Sequence, residues 1–584
     1  MHTLNKTLSL RPVPFLPPLL LAACLALWAV DTLNWDEWLI WADTLAKLRA
    51  GSLGLADIIL QNNEQRSGIV RVIGLAFQPW LRLARWPELA SIFLMAGGSV
   101  LLAWRLLLLS GWSCDDRRPL AVFSLLGFSL LQWETFSVGI NTSVILPPLT
   151  VWAGVCLSAS GGRISAGRMA LLGLVGLPAS FSFANGLFYW PCLAPLITMG
   201  AWESAAPRKA VLATGVWLGF GALVWLAYFH GYVKPAHHPS ILRSLETPHM
   251  LLGYFLTYLG GALAGDRTLQ PLALLAGSFV LAALGTLKLS AWNARHEDQG
   301  ARLRTLVPWL CVASFSLMTA AATAAARGGF GLGQAQESRY ATFSTPLWMV
   351  LCALWFLHGK RLREGARRWL GLGFALCAVL FAVSTLLAAL VLHDRAPRLE
   401  RARQQLFRFT RPEALREIFP DPAFLMARAP LFASMRAGAW RFLPAPEATV
   451  MGEPAPGEAD FSPWTELEGR VPGFLLRGKA PGHAGAWLAV RAQGPEGLRA
   501  VALGTVEVDG SFALFLPEGA LPAGKTSIFP AVVMADGRTL RPIGPVLGLA
   551  LDNPGRVVER FDLDRSFFLP GLTQKSGAGA APGL

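Results

Sequence analysis

Asp31-Thr32-Leu33-Asn34-Trp35-Asp36-Glu37-Trp38-Leu39-Ile40-Trp41 stands between the first two long apolar segments, and Gln61-Asn62-Asn63-Glu64-Gln65-Arg66 follows soon after. Adjacent carboxylates ringed by tryptophans, just beyond an apolar run that ends near Val30, are more than a packing loop needs. Charge placed there must sit at a lipid interface or in a water-filled cavity, and ionisable groups in such positions are functional candidates by default. The stretch therefore reads as a loop that leaves a membrane and carries chemistry.

Composition points the same way. The 584 residues are 53% hydrophobic and 15% charged, with a mean hydropathy of +0.44; an average soluble protein carries about 25% charged residues. Apolar runs of about 17–25 residues, the length of a transmembrane helix, recur through the first two thirds. We read spans near 13–30, 88–109, 119–133, 141–158, 169–183, 187–203, 210–229, 270–290, 305–326, 342–358 and 369–392, about eleven crossings. The Leu-rich stretch 249–264 is taken as re-entrant or interfacial.

The formal net charge is +14. The basic residues cluster between spans, as the positive-inside rule expects, so no nucleic-acid partner is called for. Arg117-Arg118, Arg163 with Arg168, Arg208-Lys209, Arg302 with Arg304, and the run from Lys360 to Arg368 all fall on one side, assigned to the cytoplasm. Loops 31–87, 134–140, 184–186, 230–269 and 327–341 then lie outside, and an odd number of crossings sends the C-terminal tail outside too. Arg far exceeds Lys, a habit of GC-rich bacterial genomes. The expected location is the bacterial inner membrane, multi-pass, with a cytoplasmic N-terminus and a periplasmic tail. Lys6 and Arg11 before the first apolar run fit an uncleaved signal anchor. None of the seven cysteines follows Cys377 and none forms a C-x-x-C, so neither a disulfide framework nor a cysteine metal site is expected.

The first loop, 31–87, is partly helical. Trp38, Trp41, Leu45 and Leu48 recur at spacings of three and four, giving one apolar face suited to lying on the membrane plane. Gly51 to Gly54 breaks it, and a second helix begins near Ala56-Asp57. Residues 396–465 read as an external linker with one amphipathic helix at 412–418. From 466 to 552 short strands alternate with turn signals, among them Asp509-Gly510 and Asp536-Gly537, which predicts a β-sandwich. Residues 553–584 form a tail expected to be partly disordered. The fold class is thus mainly α, a polytopic helical domain over 1–395 followed by a β-sandwich.

Several constellations could carry chemistry. Asp36 or Glu37 could serve as a general base, since a carboxylate can take the proton of an attacking hydroxyl or amine; the competing reading is a helix cap. Neighbours on a helix point about 100° apart, so the two cannot share one site equally. Arg66 could bind a phosphate bidentately, oriented by Glu64, or the pair could be a surface salt bridge. Arg327 and Arg339 flank a glycine-rich loop that ends at Tyr340; glycines let backbone N–H groups approach an anion, and two arginines could clamp a phosphate or pyrophosphate. The alternative is a loop with snorkelling arginines. Glu134, Asn185, His237 and His238 are candidates for the walls of a cavity. The two histidines lack a third ligand, so no metal is called for and no cofactor is indicated.

Taken together these features resemble the polytopic membrane glycosyltransferases of the GT-C type: a basic N-terminus, one span, a long first external loop carrying Asp36-Glu37, many further spans and an external tail. The resemblance covers roughly residues 10–395. More narrowly, Trp35-Asp36-Glu37-Trp38, Asn63-Glu64-Gln65-Arg66, Ser180 to Gly186 and Ser338-Arg339-Tyr340 look like a bacterial family of uncharacterised polytopic proteins. Its usual Asn-Glu-His-Arg has Gln65 in place of histidine here, so a catalytic histidine is not carried over. The GT-C resemblance implies a polyprenyl-phosphate-linked sugar as donor, an inverting transfer at the outer face of the lipid bilayer, and an envelope glycan or glycolipid as acceptor. On that reading Asp36 or Glu37 activates the acceptor while Arg66 and Arg339 hold the donor phosphate. A polymerase or ligase acting on a polyprenyl pyrophosphate, and a non-catalytic glycolipid transporter or assembly protein, are the alternatives.

Overall fold

The structure is a computed structural model that describes residues 12–551 apart from 162–163, 203–206, 236–245, 293–298, 409–411, 436, 440–449, 465–472, 495–496, 518–520, 522–523, 535–538 and 545. Its α-helices of five or more residues, in chain order, are α1 (Leu16–Trp28), α2 (Asp36–Arg49), α3 (Gly68–Leu81), α4 (Arg85–Leu109), α5 (Arg118–Gly127), α6 (Trp133–Ser137), α7 (Thr142–Ala159), α8 (Ala166–Ser180), α9 (Tyr189–Trp202), α10 (Pro207–Phe229), α11 (Pro248–Gly260), α12 (Gln270–Trp292), α13 (Gln299–Arg327), α14 (Ser338–His358), α15 (Glu364–Arg408) and α16 (Pro422–Ser434); the second helix expected in the first loop is a single turn, Leu55–Ile58. The chain divides into two compact units. One comprises Met1–Ala29, Leu55–Gly74 and Trp86–Asp394; the other comprises Val30–Gly54, Leu75–Arg85 and Arg395–Leu584.

The first unit is helical. Among the described residues eight segments are long and apolar enough to cross a membrane: Arg85–Leu109, Arg118–Ser137, Gly139–Ala159, Pro207–Phe229, Arg267–Ser290, Leu303–Phe330, Ser338–Arg361 and Glu364–Leu406. The other three expected spans coincide with α1, α8 and α9, of 13, 15 and 14 residues. At about 1.5 Å per residue these reach roughly 20 Å, short of a hydrocarbon core of about 30 Å. The stretch expected to be re-entrant forms α11, also 13 residues.

Burial separates the helices by role. The span containing α7 and the span containing α14 are each 78% buried, whereas those of α10 and α15 are 22% and 28% buried. Leu212, Leu223 and Leu226 of α10 and Leu372, Leu376 and Leu386 of α15 are exposed, as expected of apolar helices facing lipid. Tryptophans pack in the core, and four of them find acceptors for their indole N–H groups. Trp217 donates to the Trp190 carbonyl at 2.8 Å, Trp190 to Ser180 Oγ at 3.0 Å, Trp309 to Ser110 Oγ at 3.0 Å and Trp348 to the Leu259 carbonyl at 2.9 Å. A buried indole donor without an acceptor would cost about 1–3 kcal/mol.

α11 and α12 meet through glycines. A Cβ on Gly260 would collide with the Ala273 carbonyl oxygen, and one on Gly277 with the Leu256 carbonyl oxygen. Small residues at such crossings let helix backbones approach closely.

In the second unit the apolar face expected of the first loop is buried in protein except at Leu48, which is exposed. Trp38, Trp41 and Leu45 of α2 are each at most 1% exposed, and Trp38 packs on Phe432 of α16 with ring centroids 4.7 Å apart. The expected helix at 412–418 is a 3-10 turn, Pro412–Glu417; the α-helix of this region is α16, which lies in what reads as loop in the sequence. α15 runs without interruption past the expected boundary at 395 to Arg408, its C-terminal end carrying an Arg403–Glu400 pair one turn apart.

The β region begins earlier than the sequence suggests. Its strands are β1 (Val450–Met451), β2 (Glu458–Trp464), β3 (Gly473–Lys479), β4 (Trp487–Gly494), β5 (Gly497–Thr505), β6 (Ser511–Pro517), β7 (Gly524–Val533), β8 (Thr539–Pro542) and β9 (Leu547–Leu551). One sheet runs β1-β8-β7-β4-β5 with β9 on β7, and the other runs β2-β3-β6. β2 was hidden within the expected linker because Pro463 argues against a strand; as an edge strand it tolerates proline. Leu476, Phe512, Leu514 and Leu516 of the small sheet and Leu488, Val490, Ile528 and Val532 of the large one share one core. The turn at Asp509-Gly510 forms, with Gly510 at φ +79° and Asp509 accepting from Ser511 N at 2.9 Å and Oγ at 2.6 Å. These donors hold the Asp509 carboxyl below its ordinary range. It is not a hairpin between paired strands, however: β5 and β6 belong to different sheets. Asp536-Gly537 and the tail 553–584 lie outside the described residues.

Candidate functional site

Glu64 is placed by the turn that contains it. Asn62 and Gln65 exchange backbone hydrogen bonds of 2.7 and 3.0 Å, and Asn63 takes φ +53°, a region asparagine tolerates better than most residues. Gln61 Nε2 donates to the carbonyls of Asn63 and Val233, both at 2.6 Å, and Gln61 Oε1 accepts from Val233 N at 3.0 Å. Arg66 completes the anchorage. Its Nε donates to the Tyr228 carbonyl at 2.6 Å, and its two terminal nitrogens to those of Ile59 at 2.9 Å and His230 at 2.6 Å. The side chain is 9% exposed. The sequence offers Arg66 as a phosphate ligand or a surface salt bridge; in the structure its guanidinium staples the turn to the end of α10. Arg71 of α3, overlooked in the sequence, adds to this by donating to the carbonyls of Ile58 and Leu60. Burial pushes the phenol of nearby Tyr232 above its ordinary pKa.

Glu134 is placed by a break in a helix. α5 stops at Gly127, a 3-10 turn spans Leu130–Gln132, and α6 starts at Trp133. The free backbone groups at the break find side chains: Ser129 Oγ accepts from Leu131 N at 3.1 Å, and Gln132 Nε2 donates to the Leu126 carbonyl at 2.9 Å. Without water, irregular backbone survives only where such partners exist. Glu134 N donates to Ser338 Oγ at 3.0 Å, and Asn141 Nδ2 donates to the Glu134 carbonyl at 2.8 Å.

The arginines bracket a second break. α13 ends at Arg327, Gly331 takes φ +93°, and α14 opens with Ser338-Arg339-Tyr340. The loop between them is docked: Gln336 Nε2 donates to the carbonyls of Ala264 at 2.8 Å and Asp266 at 2.7 Å, and Arg267 pairs with Glu337 at 2.7 Å.

These pieces close into one network within the helical unit. Arg327 forms an ion pair with Glu64 and donates to the Tyr340 hydroxyl at 2.5 Å. Arg339 pairs with Glu134 at 2.6 Å. The guanidinium carbons of Arg327 and Arg339 lie 5.8 and 5.6 Å from the Tyr340 ring centroid, within cation–π range. Tyr258 of α11 stacks on the same ring, centroids 5.2 Å apart, and Tyr254 one turn earlier donates to Gln334 Oε1 at 3.2 Å. Both tyrosines were missed in the sequence; their four-residue spacing within a Leu-rich run was the available signal. Two cations are thus gathered on one aromatic ring at a helix N-terminus, each balanced by a carboxylate from a different segment. Guanidinium groups and the first N–H groups of a helix are the donors that phosphate oxygens use.

Asn185 is the further candidate described in the helical unit. Asn185 sits in a 3-10 turn, Ala184–Phe188, and is 9% exposed. Gly186 beside it is required, because a Cβ there would strike the Ala179 carbonyl. His237 and His238 lie outside the described residues. Asp36 and Glu37 open α2 in the second unit and differ in role. Glu37 is 1% exposed, and its Oε2 accepts from Asn34 N at 2.7 Å, a reach-back cap of the helix start. Asp36 is half-buried. Trp35 before it takes φ +46°, unusual for a bulky residue, and is held by a 2.8 Å bond from its N–H to the Ile418 carbonyl. Among the described residues no group of three or more His, Cys, Asp and Glu side chains could hold a metal ion.

No family model, no curated protein and no solved structure matches the chain.

Proposed function

We propose that the chain is a polytopic membrane glycosyltransferase with GT-C-like architecture, which moves a sugar from a polyprenyl phosphate to an acceptor at the outer face of the bacterial inner membrane. The observation that supports this best is the convergence of Arg327 and Arg339 on Tyr340, at the N-terminal turn of α14. In this reading the two guanidiniums hold the donor phosphate. An acceptor oxygen attacks the anomeric carbon, the bond from that carbon to the phosphate oxygen breaks, and the electron pair leaves with the phosphate. Preorganised cations stabilise the charge that develops there. Glu64, Tyr340 and the Arg66 staple are positioning residues that keep Arg327 in place.

The acceptor's proton goes to a carboxylate. In this reading it is Asp36 or Glu37 of the first loop. Two guanidiniums on one ring also suit a diphosphate, which keeps a polymerase or ligase acting on a polyprenyl pyrophosphate as the second reading.

The test is transfer by the full-length protein in liposomes, using labelled polyprenyl monophosphate and diphosphate sugars. Turnover of a monophosphate donor supports the proposal, and turnover of diphosphate donors alone supports the second reading. No turnover across the panel, with the lipid phosphates still bound, would instead favour a non-catalytic glycolipid-handling protein.

A further inference from the structure

We infer that Glu134 is an internal counter-anion that occupies the place of the substrate phosphate on Arg339 and must swing aside for the phosphate to bind. This rests on the phosphate-binding reading of the Arg327–Tyr340–Arg339 group and gives its two carboxylates opposite roles.

The geometry around Arg339 carries the inference. Glu134 Oε1 accepts from the guanidinium at 2.6 Å, and Glu134 Oε2 lies 3.4 Å from the backbone nitrogen of Arg339 in the first turn of α14. One carboxylate therefore faces both a guanidinium and a helix N-terminal N–H, the pair of donors that the two non-bridging oxygens of a phosphodiester would take. Access favours Arg339 over Arg327. The Arg339 side chain is 35% exposed and that of Arg327 14%, while Glu134 and Glu64 are each 17% exposed.

Freedom to move also differs. The Glu134 backbone is pinned at both its N–H and its carbonyl, by Ser338 and Asn141, so the carboxylate can turn away about its own side-chain torsions without a backbone shift. Glu64 sits in a turn fixed by Gln61 and Arg66, and its partner Arg327 is further tied to Tyr340. Glu64 thus holds a cation in position, while Glu134 competes for one. A protein whose binding-competent state is only partly populated binds with an apparent affinity lowered by that fraction, and removing the competitor removes the penalty.

The experiment is equilibrium binding of farnesyl phosphate and of inorganic phosphate to the full-length protein in detergent, with the thermal midpoint of each variant recorded. Glu134→Gln keeps the shape and removes the charge, and should bind roughly three- to tenfold more tightly than wild type. Glu134→Asp, which shortens the side chain and keeps the charge, should fall between them and covers the case of a poorly folding Gln variant. Glu64→Gln should not tighten binding. Arg339→Ala should weaken it by roughly tenfold or more. The same ordering with both probes assigns recognition to the phosphate group alone; the ordering with farnesyl phosphate only assigns it to a lipid-borne phosphate. If Arg339→Ala weakens binding but neither Glu134 variant tightens it, the counter-anion role is wrong and the phosphate site stands. If Arg339→Ala binds both probes as wild type does, the phosphate site is wrong and the counter-anion role falls with it.

Discussion

The hydroxyl of Tyr340 accepts a 2.5 Å hydrogen bond from Arg327. That single bond joins the last residue of α13 to the first turn of α14 and aligns two segments across a glycine-rich break. Tyr340→Phe removes the hydroxyl and leaves the ring on which Arg339 and Tyr258 rest. We expect a loss of about 1 kcal/mol in stability from the lost bond and a several-fold weaker grip on isoprenoid phosphates. Thermal melting and binding of the same preparation check both.

Arg66→Ala should be among the most destabilising changes in the helical unit. It leaves the carbonyls of Ile59, Tyr228 and His230 without their donors, at about 1–3 kcal/mol for the buried Tyr228 carbonyl and less for the other two. Arg66→Lys should recover only part of this, since an ammonium cannot reach three carbonyls with a planar fork. Gln61→Ala should cost about 1 kcal/mol. Hydrogen exchange across 61–66 should rise in the same order.

Glycine substitutions should divide by contact. Gly260→Ala and Gly277→Ala force α11 and α12 apart and should lower the thermal midpoint sharply. Gly215→Ala, in α10 with open space around its Cβ position, should be neutral or stabilise by up to about 1 kcal/mol. Equal effects at all three positions would show that the α11–α12 crossing is not close.

Asp36→Asn and Glu37→Gln should fail in different ways. Glu37→Gln weakens a buried cap and should cost about 0.5–2 kcal/mol. Asp36→Asn should lower transfer by about 10²–10⁴-fold, the usual loss for a general base. Wild-type transfer by Asp36→Asn would remove it from the mechanism.

How much of this could be read in advance depended on the range of the interaction. The long helices are visible in apolar runs, because lipid-length hydrophobicity is a property of one segment. The density of amides around Glu64 marked 61–66 as a built element, and the glycines between Arg327 and Arg339 marked a break. Partners were not legible. Glu134 and Arg339 are 205 residues apart, and the Arg66 acceptors at Tyr228 and His230 lie 162 and 164 residues away. An arginine bound for carbonyls has the same sequence signature as one bound for phosphate, so the carbonyl partners of Arg66 could not be read in advance. Tyr258 stayed hidden because a tyrosine in a Leu-rich run also fits the interfacial belt. Local reading failed likewise at β2 and α16, where pairing and packing against Trp38 override weak propensities.

The most direct measurement is a structure of the full-length protein with a saturating polyprenyl phosphate. The account predicts phosphate density within hydrogen-bonding distance of the Arg339 guanidinium, Arg327 still on Tyr340, and the Glu134 carboxylate turned away from Arg339. Phosphate density seated elsewhere, with the Arg339–Glu134 pair intact and Arg327 and Arg339 untouched, would contradict it.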